Sequence, residues 1–247
     1  MSDVEKLAEM IERTTQGVAF TGAGISTESG ITDFRSPGGL WDRHQPVYYS
    51  EFVASREARV RYWQMRIELY EELQDAQPNA GHQVLAKLEE RGQLAAVITQ
   101  NIDGLHQLAG SQQVIEIHGT ARVIACIACG KEWSPPDVHA MIEAGDDAPD
   151  CDECGSPLKS KTISFGQAMP EKEMREAAEL TKAADLYLAI GSSLVVEPAA
   201  SLPRMAKKYG ATLVIINKTP TPLDPYADLV INESIGETLQ AAVRDQM

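Results

Sequence analysis

Val18-Ala19-Phe20-Thr21-Gly22-Ala23-Gly24-Ile25-Ser26 is the stretch on which the fold turns. Four residues suited to a buried strand run directly into a G-x-G turn. Glycines there let a backbone approach a pyrophosphate, and the element that follows offers free N–H groups to an anion. Thr27 occupies the place of the third glycine of the usual dinucleotide fingerprint, so an ordinary strand-to-helix turn is an equal alternative for this segment alone.

The surrounding chain repeats the pattern. An amphipathic helix is expected over 3–15. Periodicity places a helix over 51–74, and another runs from Pro78-Asn79 to about Glu90. Strands are expected at Leu94–Thr99, Val114–Ile117, Asp185–Ile190, Leu213–Asn217 and Asp228–Ile231. Helices are expected over 171–183, over 197–209 with an interruption near Pro203, and over 235–244. Short apolar strands alternating with helices imply a parallel sheet covered on both faces. The fold class is therefore α/β, a Rossmann-like doubly wound parallel sheet with a small four-cysteine module inserted. Residues 1–121 and 160–247 form the larger domain, with a helical insert at about 35–75; residues 122–159 form the small one.

That small segment holds all four cysteines of the chain, Cys126, Cys129, Cys151 and Cys154, as two C-x-x-C pairs. Gly130 and Gly155 each follow a pair, as tight knuckle turns favour. No export signal precedes them, so zinc is a better expectation than disulfides, and a cytoplasmic location follows. Four thiolates would fill the coordination shell of one Zn2+, leaving it structural. A redox pair is the alternative.

The chain has 247 residues, 43% hydrophobic and 23% charged, enough for a sizeable core. Its net charge of −14 speaks first for solubility, second for a cationic partner such as a lysine-bearing tail. It disfavours nucleic acid and anionic membranes. No apolar run approaches the roughly 20 residues of a membrane span.

Ligands of doubly wound sheets bind at the carboxyl ends of the strands, and here those ends are polar. Leu94–Thr99 leads into Gln100-Asn101-Ile102-Asp103, whose amides and carboxylate could orient a nicotinamide carboxamide or a water. Helix capping could explain one of them. Val114–Ile117 leads into His118, an imidazole able to take a proton near neutral pH; a structural histidine is the alternative, and His106 is the next candidate. Gly191-Ser192-Ser193 and Asn217-Lys218 suit a ribose or adenine. Asp33-Phe34-Arg35 adds an acid, an aromatic ring and a planar cation, the last suited to phosphate or to a salt bridge with Asp33.

Together these segments resemble the sirtuin family in its prokaryotic-type, minimal catalytic core. The residues that carry the resemblance are Gly22-Ala23-Gly24-Ile25-Ser26 and Ser29 to Arg35, then Thr99 to His106 and His118-Gly119. The four cysteines, Phe165-Gly166, Gly191 to Leu194 and Asn217 follow in order. The resemblance implies NAD-dependent removal of acyl groups from protein lysines, acetyl first, with NAD as co-substrate and one structural zinc. It assigns Gly22, Ala23, Gly24, Ser26, Asp33, Phe34, Arg35, Gln100, Asn101, Ile102, Asp103, Gly191, Ser192, Ser193, Asn217 and Ile235 to NAD. In the implied chemistry the acyl oxygen attacks C1′ of the ribose as nicotinamide leaves. His118 is the general base on a ribose hydroxyl, and Asn101 is its catalytic companion. Free lysine and O-acyl-ADP-ribose result.

The resemblance also implies that Phe165, Gly166 and Val195 bind an acyl-lysine peptide between two strands, and that no oligomer is required. Thr32, Ser36 and Gln167 depart from the family's usual proline, glycine and glutamate. One branch takes succinyl or malonyl groups with a Tyr-x-x-Arg pair; here Trp63-Gln64-Met65-Arg66 stands there, so Arg66 could bind a carboxylate. A dehydrogenase, a zinc ribbon for nucleic acid and a mono-ADP-ribosyl transferase are the rival readings.

Overall fold

In a computed structural model describing residues 1–34 and 38–243, six parallel strands form the larger of two sheets. They are β1 (Gly17–Thr21), β2 (Leu94–Thr99), β3 (Val114–Glu116), β7 (Leu186–Ile190), β8 (Thr212–Ile216) and β9 (Leu229–Ile231). The order is β3-β2-β1-β7-β8-β9, so the winding reverses between β1 and β7. The second sheet is antiparallel, order β5-β4-β6, with β4 (Gly119–Cys126), β5 (Glu132–Trp133) and β6 (Leu158–Thr162).

The strand sequences explain why the large sheet is buried on both faces. Ala19, Val97, Leu188 and Val214 point to one side, where they meet α1 (Asp3–Arg13), α5 (Ala80–Glu90) and α10 (Ile235–Val243) through Leu7, Ile11, Leu85, Leu88 and Leu239. Val18, Phe20, Ile98, Tyr187, Leu213 and Ile215 point to the other, toward α8 (Glu171–Ala183) and α9 (Ser201–Lys208). Alternation of period two with apolar residues in both registers is what a doubly covered parallel sheet requires.

Between β1 and β2 lie α2 (Leu40–Arg43), α3 (Tyr49–Ala54) and α4 (Arg56–Gln74). The helix expected over 51–74 is broken at Ser55, whose hydroxyl accepts from Ala58 N and caps α4. Leu40, Phe52, Tyr62 and Trp63 share one apolar cluster with Ile124, Cys126, Val138 and Leu158. The helical segment thus packs against the cysteine-bearing sheet. The short α6 (Leu105–Leu108) follows β2.

Pro135-Pro136 opens α7 (Pro135–Glu143): Ser134 caps it, and a proline in the first turn sacrifices no intrahelical bond. A local expectation is corrected at α9. Pro203 does not interrupt a helix begun at Glu197; α9 begins at Ser201 and carries Pro203 in its first turn.

The turn after β1 is a 3-10 helix, Ala23–Ser29. It sits directly on the end of β7. A Cβ on Gly24 would lie 2.8 Å from Gly191 Cα, and one on Gly191 would lie 2.4 Å from Ile25 N, with Gly191 at φ +62°. The glycines therefore serve loop-to-loop contact at the point where the winding reverses. Gly191→Ala is expected to cost about 3 kcal/mol of stability through strain and overpacking. An unchanged denaturation midpoint would contradict this contact.

Candidate active site

A buried polar layer lies where β1 and β2 end. Thr21 Oγ1 donates to Thr99 Oγ1 at 2.8 Å, and Thr99 Oγ1 accepts from Asn101 N at 3.0 Å. Asn101 Nδ2 donates to Ser26 Oγ at 3.0 Å, and Ser26 Oγ donates to Asp103 Oδ2 at 2.7 Å. Asp103 Oδ1 accepts from Leu105 N at 2.9 Å, and its backbone carbonyl accepts from Arg122 Nε at 2.7 Å. One Asn101 amide N–H and the Ser26 hydroxyl each have an acceptor along this row, which fixes its sense. Gln100 Nε2 donates to Ser192 Oγ at 2.9 Å and so joins the end of β2 to the end of β7 across the reversal.

His118 is half-buried at the end of the β3 segment, and its Nδ1 lies 3.0 Å from the carbonyl oxygen of Gln100. A carbonyl only accepts, so Nδ1 carries the proton. The neutral ring then holds its lone pair on Nε2, the form a general base needs. The next residue has to be glycine: Gly119 has φ +71°, and a Cβ there would stand 2.0 Å from the Lys161 carbonyl oxygen. That close approach is where the chain enters the smaller sheet and returns from it.

Aromatic rings stand in a row: Phe34 to Trp41 at 5.3 Å, Trp41 to Phe165 at 6.1 Å, and Phe165 to Tyr48 at 5.9 Å between centroids. Tyr49 N donates to the Phe165 carbonyl at 2.9 Å. Phe165 and Val195 remain 38% and 53% exposed, an expense of apolar area that suits a surface to be covered by a partner chain.

The comparisons now bear on this geometry. A family model described as "Sir2 family" matches residues 22–198. The chain belongs to the Sir2 family. It is 52% identical over 240 residues to NAD-dependent protein deacetylase 1 of Bradyrhizobium diazoefficiens, with 96% of this chain and 94% of that protein covered. It is 47% identical over 237 residues to the NAD-dependent protein deacetylase of Thermodesulfovibrio yellowstonii, covering 96% and 93%. A solved Sir2–p53 peptide–NAD+ structure superposes with a TM-score of 0.91 at 38% identity, covering 100% of this chain and 99% of that one. A Sir2 variant with deacetylated p53 peptide and 3'-O-acetyl ADP-ribose gives a TM-score of 0.93 at 38% identity, covering 98% of each.

Of the residues expected to hold NAD, this Sir2 chain brings Gly22, Gly24, Ser26, Gln100, Asn101, Asp103, Gly191 and Ser192 into one connected set at the reversal. Ala23, Asp33, Phe34, Ile102 and Ser193 are partly exposed nearby in sequence. Asn217 follows β8, where Gly191 N donates to Ile216 O; its amide donates to the Thr219 carbonyl at 2.7 Å. The Ile235 side chain lies in the core among the helices below the sheet. Arg35 falls outside the described residues. Trp63 and Arg66 are buried beside the smaller sheet, where Arg66 Nε donates to Tyr62 Oη at 3.1 Å and Nη2 donates to Thr162 Oγ1.

The four cysteine sulfurs lie within 4.8 Å of one another, with Cys126 to Cys154 at 3.4 Å and Cys129 to Cys151 at 3.7 Å. Tetrahedral zinc with bonds of about 2.3 Å requires sulfurs about 3.8 Å apart. Backbone hydrogen bonding at Ser156 pulls the Cys154 thiol down, while the surrounding thiols push Cys129 up, the mutual crowding of four sulfurs that a bound cation would relieve. The donor set fits one Zn2+ with no position left for water.

Sequence reasoning passed over His82, and ranked His106 second to His118. Both are buried, with rings 4.8 Å apart. His106 Nε2 lies 2.9 Å from Thr21 Oγ1, and His82 Nε2 lies 3.5 Å from Ser26 Oγ. Burial, then the neighbouring His82, pushes His106 down to about 3; burial also pushes His82 down to about 4, against the pull of Asp103 and Glu28. The one sign available in the sequence was Asn79, a helix cap that puts His82 in the first turn of α5. The pair makes stability pH-dependent. Below the unfolded value of about 6.5 the unfolded chain binds protons that the folded chain refuses. Their contribution is complete above that pH and is lost as pH falls toward 4 and 3. At pH 5.5 the two together are expected to cost about 3 kcal/mol relative to pH 7.5. Denaturant titrations at both pH values check this, and a flat dependence would contradict the neutral, buried pair.

Proposed function

We propose that this chain removes acetyl groups from protein lysines and consumes NAD in doing so. The observation that carries the reading is the His118–Gln100 contact. It makes Nδ1 the donor and leaves Nε2 as the nitrogen for proton transfer, at the same strand ends where Asn101, Ser26 and Asp103 form a buried row. The deacetylase relatives support it, since their similarity covers nearly the whole chain.

Bound NAD would supply a glycosidic carbon with nicotinamide as its leaving group, and ribose hydroxyls as internal nucleophiles. The chain's residues divide the remaining work. Gly22, Gly24 and Gly191 let the loop after β1 close onto the loop after β7, which sets the floor of the dinucleotide site, and Ala23, Ser192, Ser193 and Asn217 line its path. Asp103 and Ile102 receive the carboxamide; each Asp103 carboxylate oxygen already holds one donor and has capacity for another. Asn101 orients the reacting oxygen or water. His118 takes a proton from a ribose hydroxyl at Nε2, while its Nδ1–H stays with Gln100. Phe34 and the rings beside it exclude water, which matters because a stray water would hydrolyse NAD without touching the lysine.

The acyl-lysine segment lies extended between Phe165-Gly166 and Val195, by strand addition. Acetyl is preferred to succinyl or malonyl, because Arg66 is already engaged by Tyr62 and Thr162. The reading gives no role to a second copy of the chain. The acidic balance favours lysine-bearing proteins over nucleic acid, and a cytoplasmic setting keeps the zinc thiols reduced. No helix among the described residues is long and apolar enough to cross a membrane.

Incubation with NAD and an acetyl-lysine peptide tests the reading. Free nicotinamide and deacetylated peptide are expected. Growth of the NADH absorbance band would indicate a dehydrogenase, and label from NAD on the peptide would indicate ADP-ribosyl transfer; either result overturns it.

A further inference from the structure

Two buried cations converge on one residue of the smaller sheet. Arg66 on α4 donates from Nη2 to Thr162 Oγ1, and Lys159 on β6 donates from Nζ to the Thr162 carbonyl and, at 3.3 Å, to that of Ser160. Both are almost wholly buried, at 8% and 4% exposure. Among the described residues no carboxylate pairs with either. Their common partner is Tyr62. Arg66 stands 5.3 Å and Lys159 5.6 Å from its ring centroid, and Arg66 Nε reaches its hydroxyl. Burial pushes the Tyr62 phenol up, but the two cations outweigh it and bring the group down to about 7. Burial pulls the Lys159 amine down as well, and what holds the three side chains as one group is the Arg66–Tyr62 hydrogen bond and the two ring contacts. Edge contacts from Phe52 at 4.9 Å and Trp63 at 5.4 Å fix the ring.

Thr162 is placed where this grip matters. It pairs with Gly119, the residue after His118, and Ile163 N donates to the His118 carbonyl at 2.8 Å. The chain then runs through Ile163 and Ser164 to Phe165. One residue therefore joins the strand that carries the base to the strand that meets the peptide.

We propose that Arg66 and Lys159, with Tyr62 between them, are positioning residues that fix Thr162 and thereby set His118 against the acyl-lysine segment. The proposal rests on the deacetylase reading of the cleft. A shift of one ångström in a reacting group is enough to cost two orders of magnitude in rate, so a clamp on this backbone acts on turnover without touching substrate.

Thr162→Val removes one acceptor oxygen at nearly constant volume. Lys159→Met removes the other grip, and Lys159→Arg restores a donor. Each is assayed with its zinc content and thermal midpoint recorded. For Thr162→Val and Lys159→Met, KM for an acetyl-lysine peptide should rise and kcat fall, each by about tenfold, the loss of one hydrogen bond to a charged group. KM for NAD should stay within about twofold, and Lys159→Arg should recover most of the loss. If Lys159→Met fails to fold, Thr162→Val decides. Wild-type kinetics in folded, zinc-loaded Thr162→Val would overturn the clamp, as would a parallel rise in KM for NAD. So would an Arg66→Lys variant that loses turnover only on a succinyl-lysine peptide, since that would make Arg66 a reader of the acyl carboxylate. Absence of deacetylation in the wild-type chain would instead defeat the functional reading itself.

Discussion

His118→Ala reduces deacetylation by about 10³- to 10⁴-fold and leaves NAD binding within a few-fold of wild type. The expectation follows from the two nitrogens having separate tasks. Nδ1–H is spent on the Gln100 carbonyl, which holds the ring in place and settles its tautomer. Nε2 is then the position for the proton of the attacking ribose hydroxyl, and a positioned base contributes roughly 10²- to 10⁴-fold. The upper part of that range applies because an amide and a hydroxyl, Asn101 and Ser26, are no bases near neutral pH, and Asp103 is assigned to the carboxamide. NAD binding survives because the loop contacts among Gly22, Gly24 and Gly191, which shape the floor of the proposed site, do not involve His118. Equilibrium binding of NAD separates this outcome from unfolding. Retained turnover would remove His118 from its role; lost NAD binding would make it a structural support of the pocket.

Cys126→Ser is expected to lose the zinc and the order of the smaller sheet together. Structural zinc sites contribute free energy of folding on the order of 10 kcal/mol, comparable to a domain's whole net stability. Cys126 and Cys151 are also part of the apolar cluster that joins Trp63, Phe52 and Leu158, so the loss spreads to α3 and α4. Hydrogen exchange should rise over residues 119–162 and in α3 and α4, and stay slow in β1, β2, β7 and β8. Activity disappears because His118 is bonded through its backbone to Ile163, although the metal takes no part in chemistry. A zinc-free protein with full turnover and native exchange would contradict a structural metal. A folded, zinc-free protein blocked only in the chemical step would assign the metal a catalytic role.

The strands and the cleft were legible because of what parallel sheets demand. Leu94–Thr99 is short, apolar in both registers and followed by Gln100-Asn101, so its place in the core and its polar exit were both written locally. The cysteine spacing was legible for the same reason: knuckle geometry is a local property. Ser55 and Ser134 were missed as caps because helical periodicity alone carries through a one-residue break, and because a proline pair looks like a loop until a cap precedes it. The depth of His82 and His106 depended on Thr21 and Ser26, which are more than fifty residues away. Arg66 shows the limit most directly. On a helix it looked available for a carboxylate, but its hydrogen-bond partner Thr162 is 96 residues distant. Nothing near Arg66 announces that burial.

The central claim is that the dinucleotide is consumed while the zinc only supports one wall of the cleft. Mass balance on a single reaction tests it most directly. With an isotopically labelled acetyl-lysine peptide and NAD, the account predicts nicotinamide, free lysine and labelled O-acetyl-ADP-ribose in equal amounts. Labelled free acetate with NAD recovered intact would mean that the acetyl group is removed by hydrolysis without the dinucleotide, and would contradict it.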